Sequence, residues 1–109
     1  MQIISDEIYH GLTYGEDAHS ALEFTDDVFV INSFSKYFCM TGWRIGWLLV
    51  PPAWMGAAER LAQHLFLAAP APSQHAALAA LRPESLAILD ERRAEFARRR
   101  DFLVPALRG

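Results

Sequence analysis

Residues 28–31, Val-Phe-Val-Ile, form an unbroken apolar run. A run of this kind suits a β-strand covered on both faces, as in a parallel α/β sheet, rather than a strand with one face in water. It ends at Asn32-Ser33, and Ser33-Phe34-Ser35-Lys36 follows without a break. Lys36 is the only lysine among 109 residues; every other basic side chain is Arg. The chain therefore sends a unique amine from the carboxyl end of a buried strand.

The rest of the chain orders itself around that strand. Gln2 to Ser5 reads as a strand end. Residues 7–27 are polar and irregular, with Gly11, Gly15 and the acids Glu16, Asp17, Glu23, Asp26 and Asp27. Ile45 to Val50 reads as a further buried strand, stopped by Pro51-Pro52. From Trp54 to Ala69 the period turns helical, with Ala58, Leu61, Ala62, Leu65 and Phe66 on one face. Pro70, Pro72 and Ser73 break the pattern and restart a helix through Leu81. Pro83 begins a third helix, with Leu86, Leu89, Phe96 and Leu103 on a stripe. Its Arg and acidic residues alternate as expected of a solvated face with local ion pairs. Pro105 is expected to kink or end it, because proline removes the bond to the Asp101 carbonyl.

The totals fit one globular α/β domain at most. A net charge of -3 leaves no electrostatic footprint for nucleic acid or an anionic membrane. No uncharged apolar run approaches the ~20 residues needed to cross a bilayer, and Met1-Gln2-Ile3-Ile4, followed closely by Asp6 and Glu7, is not expected to be a signal peptide. Cys39 is the single cysteine, so no internal disulfide can form, which suits a cytoplasmic setting. It reads as a buried packing thiol. The four histidines lack metal-ligand spacing, so no metal site is expected. His10, beside Tyr9, is a further residue that could line a site.

A lysine is the side chain that condenses with an aldehyde to a Schiff base. Phe34, Tyr37, Phe38, Cys39 and Met40 give Lys36 apolar neighbours. Asp6 stands at a strand end, where α/β sheets gather ligands; a carboxylate there can keep a pyridine nitrogen protonated, or simply cap the next turn. Tyr9 falls on the same side if 6–9 is one turn, and its hydroxyl can bond a phenolic oxygen. Ser33, Ser35 and Arg44 have the hydroxyls and guanidinium fork that suit phosphate oxygens. Singly, each has a plain structural reading: a packing tyrosine, turn serines, a surface arginine. Together they describe a holder for a phosphorylated pyridine aldehyde.

The blocks Ser5-Asp6-Glu7-Ile8-Tyr9, Ser33-Phe34-Ser35-Lys36 and Thr41-Gly42-Trp43-Arg44-Ile45-Gly46 resemble, in order and separation, the fold-type I pyridoxal-phosphate enzymes, and within them the class I/II, aspartate-aminotransferase-like aminotransferases. The resemblance implies pyridoxal 5'-phosphate as cofactor and transfer of an amino group between an amino acid and a 2-oxo acid. By it, Lys36 forms the Schiff base and shuttles the proton, Asp6 pairs with the pyridine nitrogen, Tyr9 bonds the ring oxygen, and Ser33, Ser35 and Arg44 hold the phosphate. It implies a homodimer and a large domain built on a mixed, mostly parallel sheet flanked by helices. Residues 1–82 would be the C-terminal half of that domain, and 83–109 the long helix toward a small domain.

The family's enzymes are several times longer. The chain is expected to be a part of one, truncated at both ends and inactive alone. A first phosphate-binding turn, a ring-stacking aromatic, an Asn at the ring oxygen and an Arg for the substrate α-carboxylate are not found in it. Other pyridoxal-phosphate chemistry, such as β-elimination, uses the same anchors. A non-catalytic or regulatory fragment of the same fold is the other alternative.

Overall fold

The computed structural model describes residues 1–109. Three strands form one mixed sheet in the order β1 (Ile3–Asp6), β2 (Val28–Ser33), β3 (Gly46–Leu49). β1 pairs with β2 in parallel, Asp6 opposite Ile31, and β2 pairs with β3 antiparallel, Ser33 opposite Gly46. Three helices follow: α1 (Met55–Leu65), α2 (Ala71–Ala80) and α3 (Pro83–Arg108).

The apolar run 28–31 is the central strand, but it is covered fully on one face only: Val28 and Val30 are buried, whereas Ile31 on the other face is 39% exposed. Val28 and Val30 are the most buried large side chains, at 1% exposure. On the other face Phe29 lies 6.2 Å from Trp54, ring centre to ring centre. A second small core joins Phe34, Met40 and Ala77, with Phe38 and Ile45 against it. It seats α2 on the connection between β2 and β3. Ser73 of α2 is buried there and donates to the Trp43 carbonyl at 2.6 Å.

Three expectations need correction. The strand expected to be buried over Ile45–Val50 is exposed along all of Gly46–Leu49. It pairs on one side only, and an apolar run cannot say how many neighbours a strand has. Cys39 is exposed: its φ of 55° puts it in a tight left-handed turn that aims outward. Helix α3 continues through Pro105 to Arg108. Proline there deletes one bond in the last turn of an exposed helix, and the Gly109 amide still reaches the Pro105 carbonyl at 3.2 Å.

The apolar face foreseen on α1 is present but open: Leu61, Leu65 and Phe66 are 61%, 74% and 66% exposed. Only nine residues are buried in all. The radius of gyration is 17.0 Å, against about 13 Å for a compact chain of ~100 residues. On α3, Arg98 and Arg99 both grip Glu95, at 2.6 and 2.8 Å, and Arg93 pairs with Asp90 at 3.3 Å, as the charge pattern foretold. No helix is long and apolar enough to cross a membrane.

Candidate functional site

Because β1 and β2 are parallel, their carboxyl ends share one edge of the sheet, and antiparallel β3 begins at that edge. Asp6 closes β1, Ser33 closes β2 and Gly46 opens β3. The segments that follow or precede them carry Tyr9, Ser35, Lys36 and Arg44. All six sequence-selected residues thus come to one rim, although 38 positions separate the first from the last.

Asp6 accepts weakly from the Ile8 amide at 3.4 Å, which turns the chain toward Tyr9. Lys36 is half-buried, and its Nζ lies over the Tyr9 ring at 5.5 Å from the centroid, within reach of a cation–π contact. It joins no salt bridge. The connection from β2 to β3 is tied to itself. The Ser35 amide donates to Ser33 Oγ at 2.9 Å, Thr41 Oγ1 to the Ser35 carbonyl at 2.7 Å, and Arg44 Nη1 to the Thr41 carbonyl at 2.9 Å. Arg44 sits at φ 50°, ψ 53°, a left-handed conformation uncommon outside glycine. Strand β3 then starts close against β2: a Cβ at Gly46 would stand 2.6 Å from the Asn32 carbonyl oxygen. A recess of about 520 Å³ opens beside Arg44, between Gly46 and Phe66–Pro70. A recess of about 560 Å³ between residues 13–17 and α3 touches none of the six.

Glu7 is the residue whose part the sequence concealed. It is 4% exposed and accepts from the Ala21 amide at 2.8 Å and from the Ser20 and Ser5 hydroxyls at 3.1 Å each. Burial works to raise its pKa, but these bonds and the nearby His10 outweigh it and hold the carboxyl below its ordinary value. Its amide donates to the Ile31 carbonyl at 2.8 Å. Glu7 therefore pins the backbone between Asp6 and Tyr9 to both β2 and the 3-10 turn Ala21–Glu23. Its side-chain partners on that turn lie 13 and 14 residues away, beyond any local pattern. His10 turns to Glu7, with Nδ1 at 3.4 Å. No cluster of groups capable of holding a metal ion is present.

The donor set suits a phosphorylated pyridine aldehyde. An amine without an ionic partner, a carboxylate and a phenol stand at the same strand ends as two serine hydroxyls and a guanidinium. Glycine at 46 lets β3 start directly against Asn32 and Ser33 beside them.

A family model described as aminotransferase class I and II matches residues 1–109. The valine–pyruvate aminotransferase of Mycobacterium tuberculosis is 42% identical over 110 residues, covering 99% of this chain and 28% of the relative. The (5-formylfuran-3-yl)methyl phosphate transaminase of Methanocaldococcus jannaschii is 45% identical, covering 94% and 28%. A crystal structure of an aminotransferase from Mycobacterium tuberculosis superposes with a TM-score of 0.94 at 42% identity, covering 98% of this chain and 30% of that one. The chain thus spans somewhat over a quarter of the length of these relatives.

Proposed function

The chain belongs to the class I and II aminotransferases and carries part of their fold-type I α/β large domain, and on that premise we propose that it bears the reactive half of a pyridoxal 5'-phosphate site for transamination. The substrates are an amino acid and a 2-oxo acid, and the working form is a cytoplasmic homodimer. Residues 1–82 belong to the cofactor domain, and 83–109 lead toward a small domain. The observation that carries the proposal is the meeting of Lys36 with Tyr9 at the strand ends that also present Asp6, Ser33 and Arg44.

When bound, the cofactor supplies an aldehyde conjugated to an electron-accepting pyridine ring. Lys36 would hold it through Nζ, and the same amine, free of an ionic partner, would serve as the base and acid that moves a proton at the amino acid's α-carbon. Asp6 would keep the ring nitrogen protonated, and Tyr9 would donate to the phenolic oxygen while its face keeps the Lys36 amine close. Ser33 and Ser35 would offer hydroxyls to the phosphate, and Arg44 a guanidinium fork and a charge.

The test is borohydride reduction of the cofactor-loaded protein, followed by digestion and peptide mapping. A pyridoxyl group on Lys36 is the expected result. A protein that binds the cofactor yet carries no label on Lys36 would overturn the assignment.

A further inference from the structure

Tyr37, the residue after the reactive lysine, is held from two sides. Its ring fills the space where Gly11 would carry a side chain: a Cβ there would stand 2.3 Å from Tyr37 Cγ. Only glycine permits this approach, and Gly11 is two residues beyond Tyr9. On the other side the Tyr37 hydroxyl donates to Asp90 Oδ1 of α3 at 3.0 Å. The same Asp90 oxygen takes Arg93 at 3.3 Å, which fixes the acceptor. Burial first, and then Asp90, raise the phenol above its ordinary pKa against a smaller opposing pull from Arg93, so the hydroxyl remains a donor at neutral pH.

Tyr37 is also part of the lysine's own turn. The Cys39 amide donates to the Lys36 carbonyl at 3.0 Å, so residues 36–39 close as one unit with Tyr37 second in it. A turn whose second side chain is wedged against one segment and bonded to another cannot rotate freely. Its freedom decides where the long Lys36 side chain points.

We propose that Tyr37 is a positioning residue: its wedge against Gly11 and its bond to Asp90 hold the 36–39 turn so that Lys36 Nζ stays over the Tyr9 ring, which ties the reactive amine to the seating of α3. The assignment rests on Lys36 being the reactive lysine. It adds that α3, far along the chain, sets that lysine's aim.

The test needs no cofactor, because Lys36 is the only lysine. Protein labelled with [13C]lysine shows one ε-methylene signal from this chain. With Nζ over the Tyr9 ring, the ε protons are displaced upfield, and Tyr9→Leu measures that displacement by abolishing it. Tyr37→Phe keeps the wedge and removes the bond; it should lose more than half of the displacement. Asp90→Ala should match it, and Asp90→Asn, which keeps an acceptor oxygen, should restore most of it. If Tyr37→Phe disturbs the whole amide spectrum, the reading passes to Asp90→Ala, an exposed position that leaves the ring packing intact. A Lys36 signal unmoved in both Tyr37→Phe and Asp90→Ala would overturn the proposal. Borohydride labelling reports separately on whether Lys36 holds the cofactor, so the two readings fail independently.

Discussion

Residues 1–50 hold their shape with hydrogen bonds that cross the chain, whereas residues 51–109 bond mostly within their own helices. In the first half Glu7 joins β1 to the turn at residues 20–21, and Phe34 and Met40 are tied to the connection that carries Lys36. In the second half Leu61, Leu65, Phe102 and Leu107 all stand more than half exposed. Two bonds stitch the halves together, Ser73 to Trp43 and Tyr37 to Asp90. The difference teaches that the rim carrying the candidate site residues is set by satisfied polar joints at strand ends rather than by a deep core. Substitutions should therefore fall into two sharply different classes.

The largest effect belongs to Lys36→Ala in a cofactor-loaded protein long enough to complete the site. It removes both covalent anchor and proton carrier, and turnover should fall by at least the ~10²–10⁴ typical of a general acid–base group. Steady-state assays with paired amino and 2-oxo acids measure it. A modest decline would mean that the strand-end half does not hold the chemistry. Next comes Arg44→Ala, which removes a charged anchor that contributes ~1.5–3 kcal/mol, or a roughly 10- to 150-fold rise in cofactor Kd. Asp6→Asn should instead depress turnover while leaving Kd nearly in place. Titration and single-turnover rates on both variants separate the two roles, and identical profiles would show one of them misassigned.

Glu7→Ala probes the joints themselves. Each buried donor left unpaired costs ~1–3 kcal/mol, visible as a lower denaturation midpoint. Because the folded carboxyl titrates below its ordinary 4.5, its contribution is full above that pH and disappears as pH falls through the depressed value. Glu7→Gln should flatten that part of the stability–pH curve. The smallest effect should come from Leu65→Gln in the 109-residue chain. At 74% exposure the change should stay within ~0.5 kcal/mol. A larger loss would mean that the α1 face is covered in solution.

Much of this could be read from residues alone, and the exceptions share a cause. The run 28–31 specified β2, and the three blocks pointed to six residues that the strand ends bring to one rim. Parallel pairing of β1 with β2 does the bringing, and a buried apolar strand implies such pairing. What escaped was long-range and polar. Glu7 looks like one acid among many until Ser20 and Ala21 come back to it. Tyr37 reads as packing until Asp90 arrives from 53 residues away. The exposure of β3 escaped for the opposite reason: an apolar run records what a strand could bury, not which neighbours it has.

The unequal lengths of the two connections carry a consequence for the order of assembly. Twenty-one residues separate β1 from β2, and twelve separate β2 from β3. Parallel strands are usually bridged by a helix that forms on its own; here the longer bridge holds only the short turn Ala21–Glu23. Closing it costs about 0.5 kcal/mol more in chain entropy than closing the shorter one, and only the capping box of Ser20 and Glu23 and two short turns offset that locally. Lys36 and Arg44 should thus be delivered early, with β2 and β3, while Asp6 and Tyr9 dock late. Substitutions within 34–45 should then slow folding, and those within 7–27 should chiefly hasten unfolding. Stopped-flow kinetics on the two sets would show whether the rim is built in that sequence.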